Sequence, residues 1–383
     1  MFNFVCKTLL LHYGRRCTIT CSSHNKGFAL PIFFKCLSTA TSNQHSFTVS
    51  YLINSCGFSQ KTALSASKYL YFESPEKPDS VIALLKSHGL SETQISKAIR
   101  GRPQVLGASH ERTLLPKFEF FYSKGLSSPE LAKILSVCPN LLLRSLENHI
   151  IPTFNYLSDL FKSSETAIAA VECNPFILIH DVEILSPSIN VLRDIGVPDQ
   201  NIILFLRMWC RPSKASLSTL KNTVEVVKEM GFNPLSSQFI LAVIIKVYGR
   251  NNWESKVEIY RRWGWSEEEF LAAFRTNPLC MTASKDKIMV VMDFLVNKMD
   301  VKPSAIAKRS DVIRMSMARR FIPRGAVFHF LLSKGLIRRE KINLFTLFRC
   351  NEKDFLQKFV NSYDEAPEIL KLYQEKLSLS KMT

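Results

Sequence analysis

Apolar side chains recur along this chain in short blocks at helical spacing. Leu131, Ile134, Leu135 and Cys138 fall at i, i+3, i+4 and i+7, and the same slots hold Ile95, Ala98 and Ile99, then Ile202, Phe205 and Leu206, then Phe270, Ala273 and Phe274. Each block predicts one amphipathic helix with a single buried stripe. Polar punctuation frames the blocks. Ser91 with Gln94, Ser127 with Glu130 and Ser266 with Glu269 read as capping boxes, with Ser163 and Asn233 in the equivalent place. Two residues before these starts lies a glycine, at Gly89, Gly125, Gly231 and Gly264, and Gly196 and Gly335 follow apolar runs of the same kind. A glycine there predicts a left-handed turn that ends a preceding helix.

Prolines close each unit. Pro103, Pro139 and Pro175 stand 36 residues apart, each between two apolar stretches. A proline ends a helix by removing a donor and clashing one turn back. A second set, Pro116, Pro152 and Pro187, is expected in the first turn of the following helix. Two repeats lack their glycine: Phe161 is expected to fill the first turn, and the second centres near "VNKMDVKP", while Gly57 marks an opening unit. About eight helical hairpins of 32 to 36 residues thus lie between residues 46 and 350. Such a hairpin cannot cover its own apolar face, so neighbours must stack. The predicted fold is all-α, a superhelical solenoid. The departures are Pro212, two residues late, "KVYGRNN" where a proline belongs, Val312 in place of the late one, and Pro323, twelve residues before Gly335.

Charge narrows the partner. The formal net charge of +17 over 383 residues points to phosphate or another anionic surface. Residues 302 to 341 hold eleven basic side chains against Asp311 and Glu340, a surplus of nine. Within that segment Arg309, Arg314, Arg319, Arg320, Arg324, Arg338, Arg339 and Lys341 are candidate phosphate ligands, because guanidinium groups suit bidentate phosphate contacts. Arg100, Arg207 and Arg275 recur late in the second helices, and Arg309 matches Arg275 when "RSDVIRM" is laid on "RTNPLCM". They form either a ladder facing a phosphate backbone or a set of cations favoured by the helix C-terminus.

Other chemistries find no pattern. There is no C-x-x-C pair, no H-E-x-x-H and no glycine-rich phosphate loop, so neither cofactor nor metal is expected, and no enzyme signature stands out. Cys138 and Cys173 read as reduced core residues. The most apolar stretch, "FILAVIIKVYG", is short and carries Lys246, so no membrane span is expected.

The ends differ from the middle. Before Glu73 there is no acidic residue, while Lys7, Arg15, Arg16, Lys26 and Lys35 punctuate a Ser/Thr-rich stretch. Residues 1–45 are therefore expected to be an organellar transit peptide, for the mitochondrion or alternatively the chloroplast. Residues 351–383 are expected to form a helical cap with a polar outer face.

The unit "SLENHIIPTFNYLSDLF", the exits "RGRPQVL", "SVCPNLL" and "ECNPFIL", and the late "FIPRGAVFHFLLSKGLIRR" together resemble the mitochondrial transcription termination factor (mTERF) family in its plant branch. The resemblance spans residues 46 to 350. It implies a superhelix with a basic groove, acting as a monomer that binds organellar nucleic acid. Double-stranded DNA in transcription termination or regulation is the leading expectation. An RNA-binding factor for splicing or processing, and a helical scaffold for a protein partner, stay open.

Overall fold

The computed structural model describes residues 41–208, 216–249 and 252–379. Two compact bodies divide at Leu217 and Ser218. Every regular element among the described residues is a helix. Residues 1–40, which include most of the expected transit peptide, and Pro212 lie outside the described residues.

The repeat period survives in the backbone. Gly57, Gly89, Gly125, Gly196, Gly231, Gly264 and Gly335 all have positive φ, as the punctuation predicts. The two glycine-less turns use Lys162 (φ 53°) and Asp300 (φ 50°). The left-handed residue is thus Lys162, one position after Phe161. Nine hairpin turns follow one another among the described residues, 32 to 37 residues apart.

In the first body the hairpin Glu76–Ser87 and Glu92–Gly101 sets the pattern. Its second helix starts on the Ser91–Gln94 capping box and buries Ile95, Ala98 and Ile99. Pro103 then opens a tight five-residue turn of 3-10 helix, Pro103–Gly107, that buries Val105 and Leu106. Pro175 and Pro278 open the same element at Pro175–Ile179 and Pro278–Thr282. The predicted apolar stripes of the second helices at 131–138, 202–206 and 270–274 are all buried.

Three details of the register differ from the sequence reading. First, Pro116 and Pro152 stand in the first turn of Leu115–Ser123 and Ile151–Phe161 as expected, but an unforeseen wide turn precedes each helix. Ser109, Ser145 and Ser316 cap wide turns closed by Leu114 N–H to Ser109 O (3.2 Å), Ile150 to Ser145 (3.1 Å) and Phe321 to Ser316 (3.2 Å). These i→i−5 bonds loosen the turn so that Pro116, Pro152 and Pro323, which bring no donor, continue the helix without closing an ordinary i→i−4 bond. Pro187 lies inside Val182–Asp194. Second, Ser236, not Asn233, supplies the oxygen nearest the start of Ser237–Gly249: it accepts from Phe239 N–H at 3.3 Å, while Asn233 closes its own turn on Leu235 N–H at 2.9 Å. Third, the late exit turn is Ser310–Arg314, so Ser310, not Val312, stands where the proline does elsewhere.

In the second body Ala366–Leu379 packs on Ile322–Ser333 and buries Ile369 and Tyr373, whose hydroxyl donates to Glu352 at 3.0 Å.

Candidate nucleic-acid interface

A buried polar seam joins helix to exit turn in repeat after repeat. Lys117 Nζ donates to Leu142 O at 2.6 Å, Thr153 Oγ1 to His180 O at 3.0 Å and Lys256 Nζ to Met281 O at 2.7 Å. Thr48 does the same for Phe72 O at 3.0 Å. Carbonyls at the end of a 3-10 or short helical turn have no partner within it, and Lys117, Thr153 and Lys256, 25 to 27 residues upstream, each satisfy one. Lys117 and Thr153 directly follow the first-helix prolines Pro116 and Pro152.

Arg324 follows Pro323 and belongs to this seam. It is 1% exposed, and its Nη1 donates to Leu347 O at 2.8 Å, Phe348 O at 3.3 Å and Cys350 O at 2.9 Å. Arg320 Nη1 joins it on Phe348 O at 3.0 Å and Cys350 O at 2.8 Å. Together they cap the C-terminus of Leu344–Arg349, and the guanidinium of Arg324 lies 4.4 Å from the Phe355 ring centroid. The expectation that Arg324 holds a phosphate is corrected here: a guanidinium this buried, with Nη1 taken by three carbonyls, cannot reach a ligand in water. Arg320 is half-buried in the same cap.

The recurring arginines turn out to bridge repeats. Arg100 Nη2 donates to Gly57 O at 3.0 Å, and Arg275 Nη1 to Met230 O at 3.5 Å, beside Gly231. Arg339 Nη2 donates to Met299 O at 2.5 Å and Asp300 O at 3.1 Å. Each therefore caps the hairpin turn of an earlier repeat, 39 to 45 residues back. Ser128 does the same for His88 O at 2.5 Å. Arg207 Nη2 reaches Cys173 Sγ at 3.0 Å. The macrodipole logic weighed from sequence applies, but to the preceding repeat's helix rather than the arginine's own. Arg100 and Arg275 stay exposed and keep further N–H groups toward solvent. Arg309 occupies the C-cap of Pro303–Lys308, the place of Asn277 and not of Arg275.

The surplus of charge between 302 and 341 does not form one cluster. Arg319 and Arg320 lie in the first turn of the last first helix, and Arg338, Arg339 and Lys341 lie beyond its far end at Ser333, roughly 20 Å away at 1.5 Å per residue. Lys308 and Arg309, at the end of the antiparallel second helix of the preceding hairpin, fall at the same end as Arg319. Lys302, at its start, falls with the other group. Of the candidates, Arg309, Arg319, Arg338 and Lys341 are exposed and make no side-chain hydrogen bond or ion pair among the described residues. Arg314 is half-buried, and burial lowers its pKa.

In the first body Asp181 draws Arg144 Nη2 to 2.6 Å and His149 Nδ1 to 2.5 Å. Burial alone would raise the Asp181 pKa, but the hydrogen bonds from Arg144 and His149 hold it below the usual carboxylate range. Sequence reading missed this cluster and the polar seam, because their partners lie about one repeat apart.

Burial pushes the thiols of Cys138 and Cys280 up to about 12, as inert core residues require. Among the described residues no group of His, Cys, Asp and Glu could hold a metal ion, and no helix is long and apolar enough to cross a membrane.

The mTERF family model matches residues 82–248 and 240–356, most of the chain. No curated protein matches the sequence.

Proposed function

The chain belongs to the mTERF family, and from that premise we propose that it binds double-stranded DNA in an organelle, the mitochondrion first, and regulates transcription there. Members of this family are nucleic-acid-binding regulators of organellar gene expression. The observation that carries the reading to this chain is the surplus of twelve basic side chains over residues 46–383, on helical repeats that leave Arg309, Arg319, Arg338 and Lys341 exposed. Side chains of this kind hold phosphates without reading bases.

Two features favour a duplex. Three of these four exposed cations are arginines, suited to paired phosphate oxygens. The exposed large aromatics among the described residues are Tyr69 and Tyr71, both in the connection between Gln60–Ala66 and Glu76–Ser87, whereas single-strand readers lay out aromatic platforms for bases. The acid-free N-terminus supports entry into an organelle.

The test is competition. Full-length protein is bound to a labelled duplex and challenged with equal lengths of unlabelled duplex DNA and single-stranded RNA, and crosslinked nucleic acid from isolated organelles is sequenced. Duplex DNA is expected to compete better and to dominate the crosslinked pool. Preferential competition by RNA would turn the reading to RNA processing, and failure of both would leave a protein scaffold.

A further inference from the structure

Three of the nine hairpin turns among the described residues pair a cation with an acid across the turn. Lys86 pairs with Glu92 at 3.3 Å, Arg193 with Asp199 at 3.1 Å and Arg261 with Glu267 at 3.9 Å. In each, a cation in the last turn of the first helix meets an acid six residues on, in the first turn of the second. Four second helices have no acid to supply: Gln60–Ala66, Ser237–Gly249 and those of the last two hairpins. Neither Pro303–Lys308 nor Leu344–Arg349 has an acidic residue in its first turn.

The final connection is also different in length. Ten residues, 334–343, separate Ile322–Ser333 from Leu344–Arg349, against four in the hairpins at Gly89, Gly125 and Gly264. A long connection with little structure of its own is where function concentrates. This one is pinned. Arg339 donates to the carbonyls of Met299 and Asp300, and its guanidinium lies 5.4 Å from the Phe328 ring centroid. The anchor lays the loop against the preceding turn, so that Arg338 and Lys341 join Lys298 and Lys302 on one edge, all exposed. Only Asp300 and Glu340 oppose these five cations, a surplus of three.

We infer that this turn edge, from Lys298 to Lys302 together with Arg338 and Lys341, is a phosphate-contacting strip for the nucleic acid, with Arg339 as the positioning residue that holds the loop. The inference rests on the nucleic-acid reading above and adds where the backbone lies. Pinning matters because a loop fixed before binding does not have to be ordered on binding. At the opposite end of the same helices Arg320 and Arg324 are engaged by carbonyls, and Arg349 pairs with Asp311 at 2.9 Å, which leaves Lys308, Arg309 and Arg319 without a comparable scaffold.

The experiment compares two triple variants of equal charge loss in the full chain. One carries K302Q, R338Q and K341Q, and the other K308Q, R309Q and R319Q. Affinity for a short duplex DNA, and separately for a single-stranded RNA, is measured across a salt titration, with thermal unfolding as the folding control. The turn-edge variant is expected to flatten the slope of log K against log salt by roughly 2 to 3, at about 0.7 to 0.9 per lost phosphate contact, and the other variant by less than about 1. A flattening confined to the second variant, or equal in both, would overturn the inference while leaving nucleic-acid binding intact. A wild-type chain that binds neither probe would overturn both.

Discussion

The Lys117 ammonium donates to the Leu142 carbonyl oxygen at 2.6 Å from a position 3% exposed. A charge is thus retained in the seam between a first helix and the exit turn that follows its second helix. Burial pushes the Lys117 pKa down to about 8. Between that value and the ordinary lysine value near 10.4, the unfolded chain holds a proton that the folded chain releases. Stability therefore rises with pH across this window. The stability difference between wild type and K117M, from urea unfolding, is expected to grow in favour of wild type from about pH 8 to about pH 10. A difference that stays flat over that range would show that the ammonium is not held in the depressed state.

The left-handed turns give a paired prediction. Gly89 sits at φ +86°, and a Cβ there would lie 2.4 Å from Ser128 Oγ, the group that caps His88 O. G89A should lower stability by about 1 to 2 kcal/mol for the backbone alone, and more once Ser128 is displaced. Lys162 holds the same conformation at φ 53° without being glycine. K162G should therefore raise stability by roughly 0.5 to 1 kcal/mol, net of the entropy a glycine loses. Thermal unfolding of the two variants should move in opposite directions.

Much of this fold was legible because its signals are local. Ser91, Gln94 and Gly89 lie within six residues of each other, and their capping and turn chemistry depends on nothing distant. The exit prolines were legible for the same reason. Pro116 and Pro152 stand in the first turn of Leu115–Ser123 and Ile151–Phe161 as read, but the wide turn before each one hides in an ordinary helical pattern: no residue type announces an i→i−5 bond. The site was harder. Arg100, Arg275 and Arg339 were visible as cations, but their acceptors lie 39 to 45 residues upstream. Periodicity along one helix cannot tell a side chain that faces solvent from one that reaches the next repeat. Arg324 shows the cost of that ambiguity, since in sequence it is one more arginine in a basic run and in the structure it is core.

Arg324 and Arg319 should separate cleanly on mutation. R324A would strip the Leu347 carbonyl of its guanidinium donor, leave those of Phe348 and Cys350 to Arg320 alone and empty a buried volume against Phe355, and a cost of roughly 2 to 4 kcal/mol is expected. R319A removes an exposed side chain with no hydrogen-bond partner among the described residues, and should change stability by less than about 0.5 kcal/mol. Circular dichroism melts decide the matter: a tolerant R324A would mean that the seam does not stabilise the last repeat.

Targeting is testable without any binding assay. Residues 1 to 50 carry basic side chains and no acid, so a reporter fused behind them is expected to enter mitochondria. Plastid entry would move the proposed function to that organelle. A reporter that stays in the cytosol would remove the organellar part of the proposal and leave the DNA-binding part standing.

The bridging arginines set the last prediction, because two roles compete for the same side chains. Arg100 and Arg275 each donate to a carbonyl at an earlier hairpin turn, yet both are exposed and could also face a phosphate. If their main work is to hold consecutive repeats together, R100A and R275A should each lower stability by about 0.5 to 1 kcal/mol, toward the low end for Arg275, whose hydrogen bond is 3.5 Å long. The two costs should add, since the residues share no partner. The salt dependence of DNA binding should then be unchanged in the double variant. If instead they form a phosphate ladder, the slope should flatten by roughly 0.9 per arginine while the melting curve hardly moves. The geometry favours the first outcome. A guanidinium already within hydrogen-bond reach of a carbonyl must give up or share that contact to bind a phosphate, whereas Arg338 and Lys341 have nothing to give up.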